Sequence, residues 1–259
     1  MKAVILAGGF GTRISEESHL KPKPMIEIGE KPILWHIMKE FSFYGINDFV
    51  ICAGYKQHII KEWFADYFIH TSDITFDFSD GNKMIVHNKH AEPWKVTVVD
   101  TGLNTQTGGR VKRIKDYVDN EPFIVTYGDA VSDVNINELI AFHQEQKKIG
   151  TMSLYNFGQS KGVVEVSRDG NIKAFREKSD LDGDLINIGY MVFEPAIFDY
   201  IEGDSMPLEC VPLNSLVEKN ELSGFVHHGF WQCMDTLREK QKLERLWGSG
   251  NAPWKLWEE

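Results

Sequence analysis

Apolar residues recur along this chain with two alternating periods, and the order of those periods sets out its elements. Lys2–Ala7 is a short run of small and β-branched residues ending in glycines, the pattern of a strand buried on both faces. Across Pro32–Tyr44, Ile33, Leu34, Ile37, Met38 and Phe41 fall at helical spacing, and Pro32 suits a first turn. Asp48–Cys52 predicts a second buried strand. Lys56–Asp66 predicts a second helix with Ile59, Ile60, Trp63 and Phe64 on one face. Pro122–Tyr127 reads as a further strand ending at Gly128-Asp129, and Asn135–Lys148 as a further helix. Strands joined by helices of about ten residues or more imply crossover connections and a mainly parallel sheet covered on both sides.

Two stretches break that rhythm. Thr75-Phe76-Asp77-Phe78, a turn at Asp80-Gly81 and a return through Lys83–His87 form a hairpin pattern. Between Gly150 and Phe193, short segments around Met152–Tyr155, Val163–Val166, Ile172–Phe175 and Ile186–Phe193 predict added antiparallel strands. No internal repeat and no Pro/Gly/Ser-rich linker divides the chain. The expected fold is therefore α/β: a single Rossmann-like domain with a mixed, mainly parallel sheet covered by helices. A small antiparallel insertion and a C-terminal elaboration complete it.

Composition narrows the class. The chain has 259 residues, 42% of them apolar and 25% charged, which suits a protein with a sizeable core. Nowhere do about 18 apolar residues run together, so no membrane span is expected. The N-terminal apolar stretch is too short for a secretory leader and flows into a glycine turn. A net charge of −10 argues against broad nucleic-acid binding. Cys52, Cys210 and Cys233 are odd in number and lack Cys-x-x-Cys spacing, which disfavours a disulfide framework or a zinc ribbon and points to the cytoplasm.

The densest chemical signal is Leu6-Ala7-Gly8-Gly9-Phe10-Gly11-Thr12-Arg13. Glycines after a strand let the backbone approach a ligand, and exposed N–H groups there form an anion-binding concavity. A following helix N-terminus would add a favourable dipole. The dinucleotide fingerprint fails because Ile14 stands where its third glycine belongs; the P-loop fails because Arg13 and Ile14 replace its Lys and Ser/Thr. Arg13 just after the loop is suited to clamping phosphate oxygens. In Lys21-Pro22-Lys23-Pro24 the prolines disfavour helix, so an extended segment is expected, with Lys21 and Lys23 pointing in different directions. Asp129, at the C-terminal end of a buried strand, lies where open α/β sheets place ligands and offers a hard oxygen donor. Asp129 and Asp235 read equally well as turn or helix-cap residues, and spacing does not show that they meet.

Taken together, Gly8-Gly9-Phe10-Gly11-Thr12-Arg13 and Pro22-Lys23-Pro24 resemble the opening of the sugar-1-phosphate nucleotidylyltransferases. Thr107-Gly108-Gly109-Arg110, Thr126-Tyr127-Gly128-Asp129 and Met234-Asp235-Thr236-Leu237-Arg238 continue the likeness along essentially the whole chain. It is strongest toward the branch that uses CTP and glucose 1-phosphate. The resemblance implies transfer of a cytidylyl group from CTP to α-D-glucose 1-phosphate, giving CDP-glucose for dideoxyhexose and O-antigen synthesis. It further implies Mg²⁺ held by Asp129 and Asp235, catalytic roles for Arg13, Lys23 and Asp129, and nucleotide contacts from Leu6, Ala7, Gly8, Gly9, Phe10, Gly11, Thr12 and Gly128. Thr107 and Arg110 are implied as further nucleotide contacts, and Glu177, Lys178, Asn187 and Gly189 as the sugar-phosphate pocket. Glu177-Lys178-Ser179 departs from the Glu-Lys-Pro of many relatives. On this reading residues 1–130 form a nucleotide-binding half and 131–259 carry sugar-binding and oligomerisation elements. The partners implied are CTP and glucose 1-phosphate, with a homo-oligomer such as a hexamer holding nucleotide near a subunit boundary.

Other readings stay open on the residues alone. Uridylyl or thymidylyl transfer is the nearest, since pyrimidine choice can rest on backbone contacts in a loop. A non-catalytic nucleotide-sugar sensor would keep the fold without needing Arg13, Lys23, Asp129 and Asp235 together. His87-x-x-His90 and the adjacent His227 and His228 lack a third ligand at metal-binding spacing and read as packing or surface residues. Trp247, Trp254 and Trp257 suit either packing on their own domain or an oligomer interface, where aromatic residues are enriched; the resemblance, whose relatives assemble, favours the interface.

Overall fold

A computed structural model describes residues 1–89, 91–156, 163–167, 171–176 and 185–258, apart from the side chains of residues 13, 15, 16, 89, 163–166, 175 and 176. At its centre lies β1 (Lys2–Ala7), flanked by two parallel neighbours, β4 (Asp48–Ala53) and β8 (Phe123–Tyr127). Its residues Ala3, Val4 and Ile5 are wholly buried, because alternate side chains enter two separate cores on opposite faces of the sheet. Beyond β4 lies β7 (Lys95–Asp100), also parallel. On the other side, β13 (Leu185–Phe193) runs antiparallel to β8, followed by β10 (Gly150–Asn156) and β14 (Leu222–His227). The seven-stranded sheet is thus mixed and mainly parallel, in the order β14-β10-β13-β8-β1-β4-β7.

Helices cover both faces. One core gathers α2 (Ile33–Phe43), α3 (Gln57–Ala65) and α6 (Ile136–Gln146), together with residues of α8 (Leu237–Gly248). The opposite core takes α5 (Thr107–Arg113), the 3₁₀ turn Pro195–Tyr200 and α7 (Val211–Glu218). Two helix starts are capped by side chains: Asn135 accepts from the N–H groups of Asn137 and Glu138, and Thr236 forms a reciprocal capping box with Glu239.

The expected hairpin is present as β5 (Ser72–Asp77) paired with β6 (Lys83–Lys89), following the short α4 (Tyr67–His70). The segments after Gly150 divide differently from the expectation. β11 (Val163–Val166) and β12 (Ile172–Arg176) do form a separate antiparallel pair. β10 and β13 instead join the main sheet, since their residues bury against its two cores. Periodicity pointed to neither β7 nor β14, whose half-buried patterns are those of sheet edges.

The C-terminal tail folds back onto the N-terminal half. Trp254 is fully buried, stacks on Phe230 and Trp247, and donates its indole N–H to His36 Nδ1 at 3.4 Å. Trp247 lies against Gly29, where an added Cβ would come within 1.9 Å of its ring. Trp247 and Trp257 both pack partly buried against the same core. The tryptophans expected at an interface between chains therefore complete the core of their own. Aromatic rings of this size contribute most where burial is complete, and α2 offers that surface.

His36, inside this cluster, donates its Nε2–H to Ile28 O over 2.8 Å and is wholly buried. Burial pushes its imidazole down to about 4, with a hydrogen bond to Ile28 opposing. The unfolded chain therefore binds a proton that the folded chain excludes between pH 6.5 and about 4. Stability should fall by about 3 kcal/mol as pH drops through that window and should be insensitive to this group above it. Urea unfolding at pH 7 and at pH 4.5 checks this: His36→Gln should lose less stability on acidification than the parent. Equal losses would place the acid sensitivity elsewhere.

Candidate active site

The loop after β1 walls one side of a cavity of about 540 Å³. Leu6 to Thr12 line it, facing Leu103 to Thr107 and the end of β8 from Tyr127 to Asp129. The glycines have distinct physical reasons. Gly11 has φ +67°, a left-handed conformation that glycine adopts without strain. At Gly128 an added Cβ would stand 2.9 Å from Leu6 O, so β1 and β8 approach at the cavity floor only without a side chain there. The helix expected behind the loop is much reduced. A 3₁₀ turn over Thr12–Ile14 leads into α1 (Ser15–Ser18), a single turn of helix. Anion binding here therefore falls to individual N–H groups and cations rather than to a long helix dipole.

Lys23 enters from a second loop, and here too the local structure departs from expectation. Pro22 is extended at φ −65°, ψ 148°, but Lys23–Met25 closes a 3₁₀ turn through Met25 N–H to Pro22 O at 2.8 Å. Proline is compatible with the first positions of such a turn because those N–H groups have no intrahelical partner. As expected, the two lysines diverge. Lys21 pairs with Glu27 at 2.7 Å on the surface, whereas Lys23 is buried and lines the cavity.

The Lys23 ammonium donates to Asp129 Oδ2 at 2.6 Å and to Asp235 Oδ1. The two aspartates meet through a ribbon of two short strands. β9 (Ala130–Ser132) begins right after Asp129, and its partner β15 (Trp231–Cys233) leads through Met234 into Asp235. Met234 N–H closes the ribbon on Asp129 O at 2.8 Å. Burial opposes the Lys23 charge, but Asp129 and Asp235 outweigh it and hold the ammonium above its usual range. Two hard carboxylates already gathered around a cation form a donor set that suits Mg²⁺ shared with substrate phosphates. Among the described residues, no group of three or more His, Cys, Asp or Glu offers a cage made by protein alone.

The remaining expected residues have different fates. Thr107 lines the cavity and donates to Glu209 at 2.6 Å. Arg110 is turned inward: its guanidinium donates to Gly8 O at 3.0 Å, to Gly102 O at 2.8 Å and to Thr101 Oγ1 at 2.7 Å. Its terminal nitrogens brace the loops behind Gly8, and Arg110 also lines the cavity, so it borders the space where a nucleotide contact is expected of it. Asn187 and Gly189 lie on β13, with Gly189 N–H donating to Asn187 Oδ1 at 2.9 Å. Glu177, Lys178 and the side chain of Arg13 lie outside the described residues, as does His90. His87 bonds Thr75 at 2.9 Å, and His227 pairs with Asp133 at 3.0 Å. Sequence reasoning missed Tyr127, Glu209 and the lining segment Leu103–Gln106. Tyr127 had a usable signal in its place at the strand end before Gly128-Asp129; Glu209 had none.

A glycine-walled cavity with a buried lysine and two converging carboxylates is a site for phosphate-rich substrates and a divalent cation. The Nucleotidyl transferase family model matches residues 2–232, and the chain belongs to that family. Over 259 residues it is 52% identical to a glucose-1-phosphate cytidylyltransferase of Salmonella typhimurium, covering 100% of both chains. A mannose-1-phosphate guanyltransferase of Gibberella zeae is 29% identical over 248 residues, covering 94% of this chain and 62% of that one. Among solved structures, a UDP-glucose pyrophosphorylase complexed with UDP-glucose superposes with a TM-score of 0.68 at 16% identity, covering 96% of this chain and 98% of that one. That likeness shows the fold.

Proposed function

We propose that this chain transfers the cytidylyl group of CTP to α-D-glucose 1-phosphate, forming CDP-glucose and pyrophosphate. The observation that carries the reading is Lys23 held between Asp129 and Asp235 on the floor of a glycine-walled cavity. Full-length similarity to a glucose-1-phosphate cytidylyltransferase supports the choice of substrates.

In this reaction an oxygen of the sugar phosphate bonds to the α-phosphorus of CTP while the bond to the departing pyrophosphate breaks. The attacking phosphate is ionised near neutral pH, so no protein base is needed. Catalysis then consists of alignment and charge neutralisation. Gly8, Gly9 and Gly11 leave room for the triphosphate against the backbone, and Gly128 opens the floor beneath it. Lys23 places a fixed positive charge beside the reacting phosphate. Arg13 steadies the triphosphate, while Glu177, Lys178, Asn187 and Gly189 receive the sugar phosphate. Asp129 and Asp235 would hold Mg²⁺ with phosphate oxygens and water, and the bound ion supplies charge neutralisation.

The same reading takes residues 1–130 as the nucleotide half and 131–259 as the sugar-phosphate half. It assigns the product to surface-polysaccharide synthesis in the cytoplasm, consistent with three free cysteines. No helix among the described residues is long and apolar enough to cross a membrane. It also takes the active form as a homo-oligomer, which the exposed Phe76, Phe78 and Met84 on the β5–β6 hairpin favour as an apolar contact.

Pyrophosphate release with CTP, UTP, dTTP, ATP and GTP against glucose 1-phosphate tests the proposal. CTP should be strongly preferred, and chelation with EDTA should abolish turnover, with recovery on adding excess Mg²⁺. Preference for another triphosphate would overturn the cytidylyl assignment, and activity that survives chelation would overturn the metal.

A further inference from the structure

A run of contacts crosses the cavity wall. Gly189 N–H donates to Asn187 Oδ1, and Gly189 itself lies against the Tyr127 ring. Tyr127 donates in turn to Glu209 Oε1 at 2.5 Å. From the other side, Thr107 Oγ1 accepts from Leu208 N–H at 2.9 Å and donates to Glu209 Oε2 at 2.6 Å. Both lines end on the Glu209 carboxylate, one on each oxygen.

Position gives this run its meaning. Thr107 opens α5 beside the lining segment 103–106, on the nucleotide side. Asn187 and Gly189 lie on β13, on the sugar-phosphate side. Tyr127 ends β8 shortly before Asp129, and its ring occupies the space at Gly189, where an added Cβ would come within 2.3 Å. Glu209 itself sits in a loop anchored to α5: Arg113 Nε donates to Asp204 at 2.9 Å, and Gly109 N–H donates to Met206 O at 3.2 Å. A carboxylate beside a cavity for polyanions is electrostatically adverse, so its placement calls for a compensating role.

We infer that Glu209 is a positioning residue that, through Tyr127 and Thr107, fixes the spacing between the sugar-phosphate and nucleotide sides of the cavity. The inference builds on the proposed reaction. With its proton directed at Glu209 and its ring packed on Gly189, Tyr127 serves as a spacer rather than an acid.

Glu209→Ala should raise KM for both glucose 1-phosphate and CTP about tenfold, the effect of losing one well-made hydrogen bond on each side. Its kcat and thermal midpoint should stay close to those of the parent. Glu209→Gln offers one acceptor oxygen and one donor nitrogen, so it should restore one of the two KM values and not the other. Thr107→Val should raise KM for CTP in the parent and add nothing in Glu209→Ala. Calorimetric titration of CTP into Glu209→Ala, without sugar phosphate, should show correspondingly weaker binding. KM values within twofold of the parent in Glu209→Ala, or full additivity with Thr107→Val, would overturn the inference. So would Glu209→Ala and Glu209→Gln behaving alike. If the parent releases no pyrophosphate from CTP, the proposed reaction fails, and the calorimetric comparison still decides whether Glu209 shapes the nucleotide side.

Discussion

Lys23→Ala should lower turnover at saturating substrates by roughly 10²-fold or more, the scale of losing one fixed charge-stabilising donor. The structure adds a second consequence. Asp129 and Asp235 would lose the cation that bridges them, and their like charges would no longer be offset by the ammonium. Binding of Mg²⁺ should then stabilise the variant more than it stabilises the parent, where Lys23 already occupies that space. Steady-state kinetics with saturating CTP and glucose 1-phosphate measure the first effect, and thermal unfolding with and without Mg²⁺ measures the second. Lys23→Arg should recover little turnover, because a planar guanidinium cannot replace a compact ammonium held by two carboxylates. Near-normal turnover in Lys23→Ala would remove the residue from the chemistry.

Removing residues from Gly248 onward should cost the chain its fold rather than merely its assembly. The deletion takes away Trp254, which is wholly buried, and with it the ring stacked on Phe230 and the indole bonded to His36. Truncating a buried tryptophan alone costs about 3–5 kcal/mol. That is a large part of the roughly 5–15 kcal/mol by which folded proteins are stable. Trp254→Ala should therefore lower the thermal midpoint by roughly 10 °C. The full deletion, which also strips Trp257 from the core, should leave little folded protein by circular dichroism. A truncated chain with the parent's unfolding midpoint but a smaller mass in light scattering would return the tryptophans to an interface.

Much of the architecture was legible because one-dimensional periodicity reports burial directly. The runs at Lys2–Ala7 and Asp48–Cys52 and the helix at Pro32–Tyr44 each appear within a residue or two of their expected bounds. β7 and β14 escaped notice because edge strands are half-buried and carry a weak pattern. Lys23 could be singled out as a preorganised cation, yet its 3₁₀ turn could not. Two flanking prolines forbid a long helix, and they permit a single tight turn. The meeting of Asp129 with Asp235 depends on Ala130–Ser132 pairing with the distant Trp231–Cys233, a contact no spacing rule encodes. Arg110 shows the converse. The resemblance implied a nucleotide contact from it, while the bracing of its guanidinium against Gly8 O is a tertiary fact.

The ribbon that joins Asp129 to Asp235 also bears on how the protein comes into being on the ribosome. β8 and the glycine loop lie in the first half of the chain, and β15 follows only at Trp231–Cys233. A nascent chain halted before that point holds one carboxylate in place and waits for the other, and its α2 still exposes the surface that Trp254 will cover. Translation must pass Asp235 before the site exists, so earlier fragments should be inert and prone to sticking until Trp254 emerges.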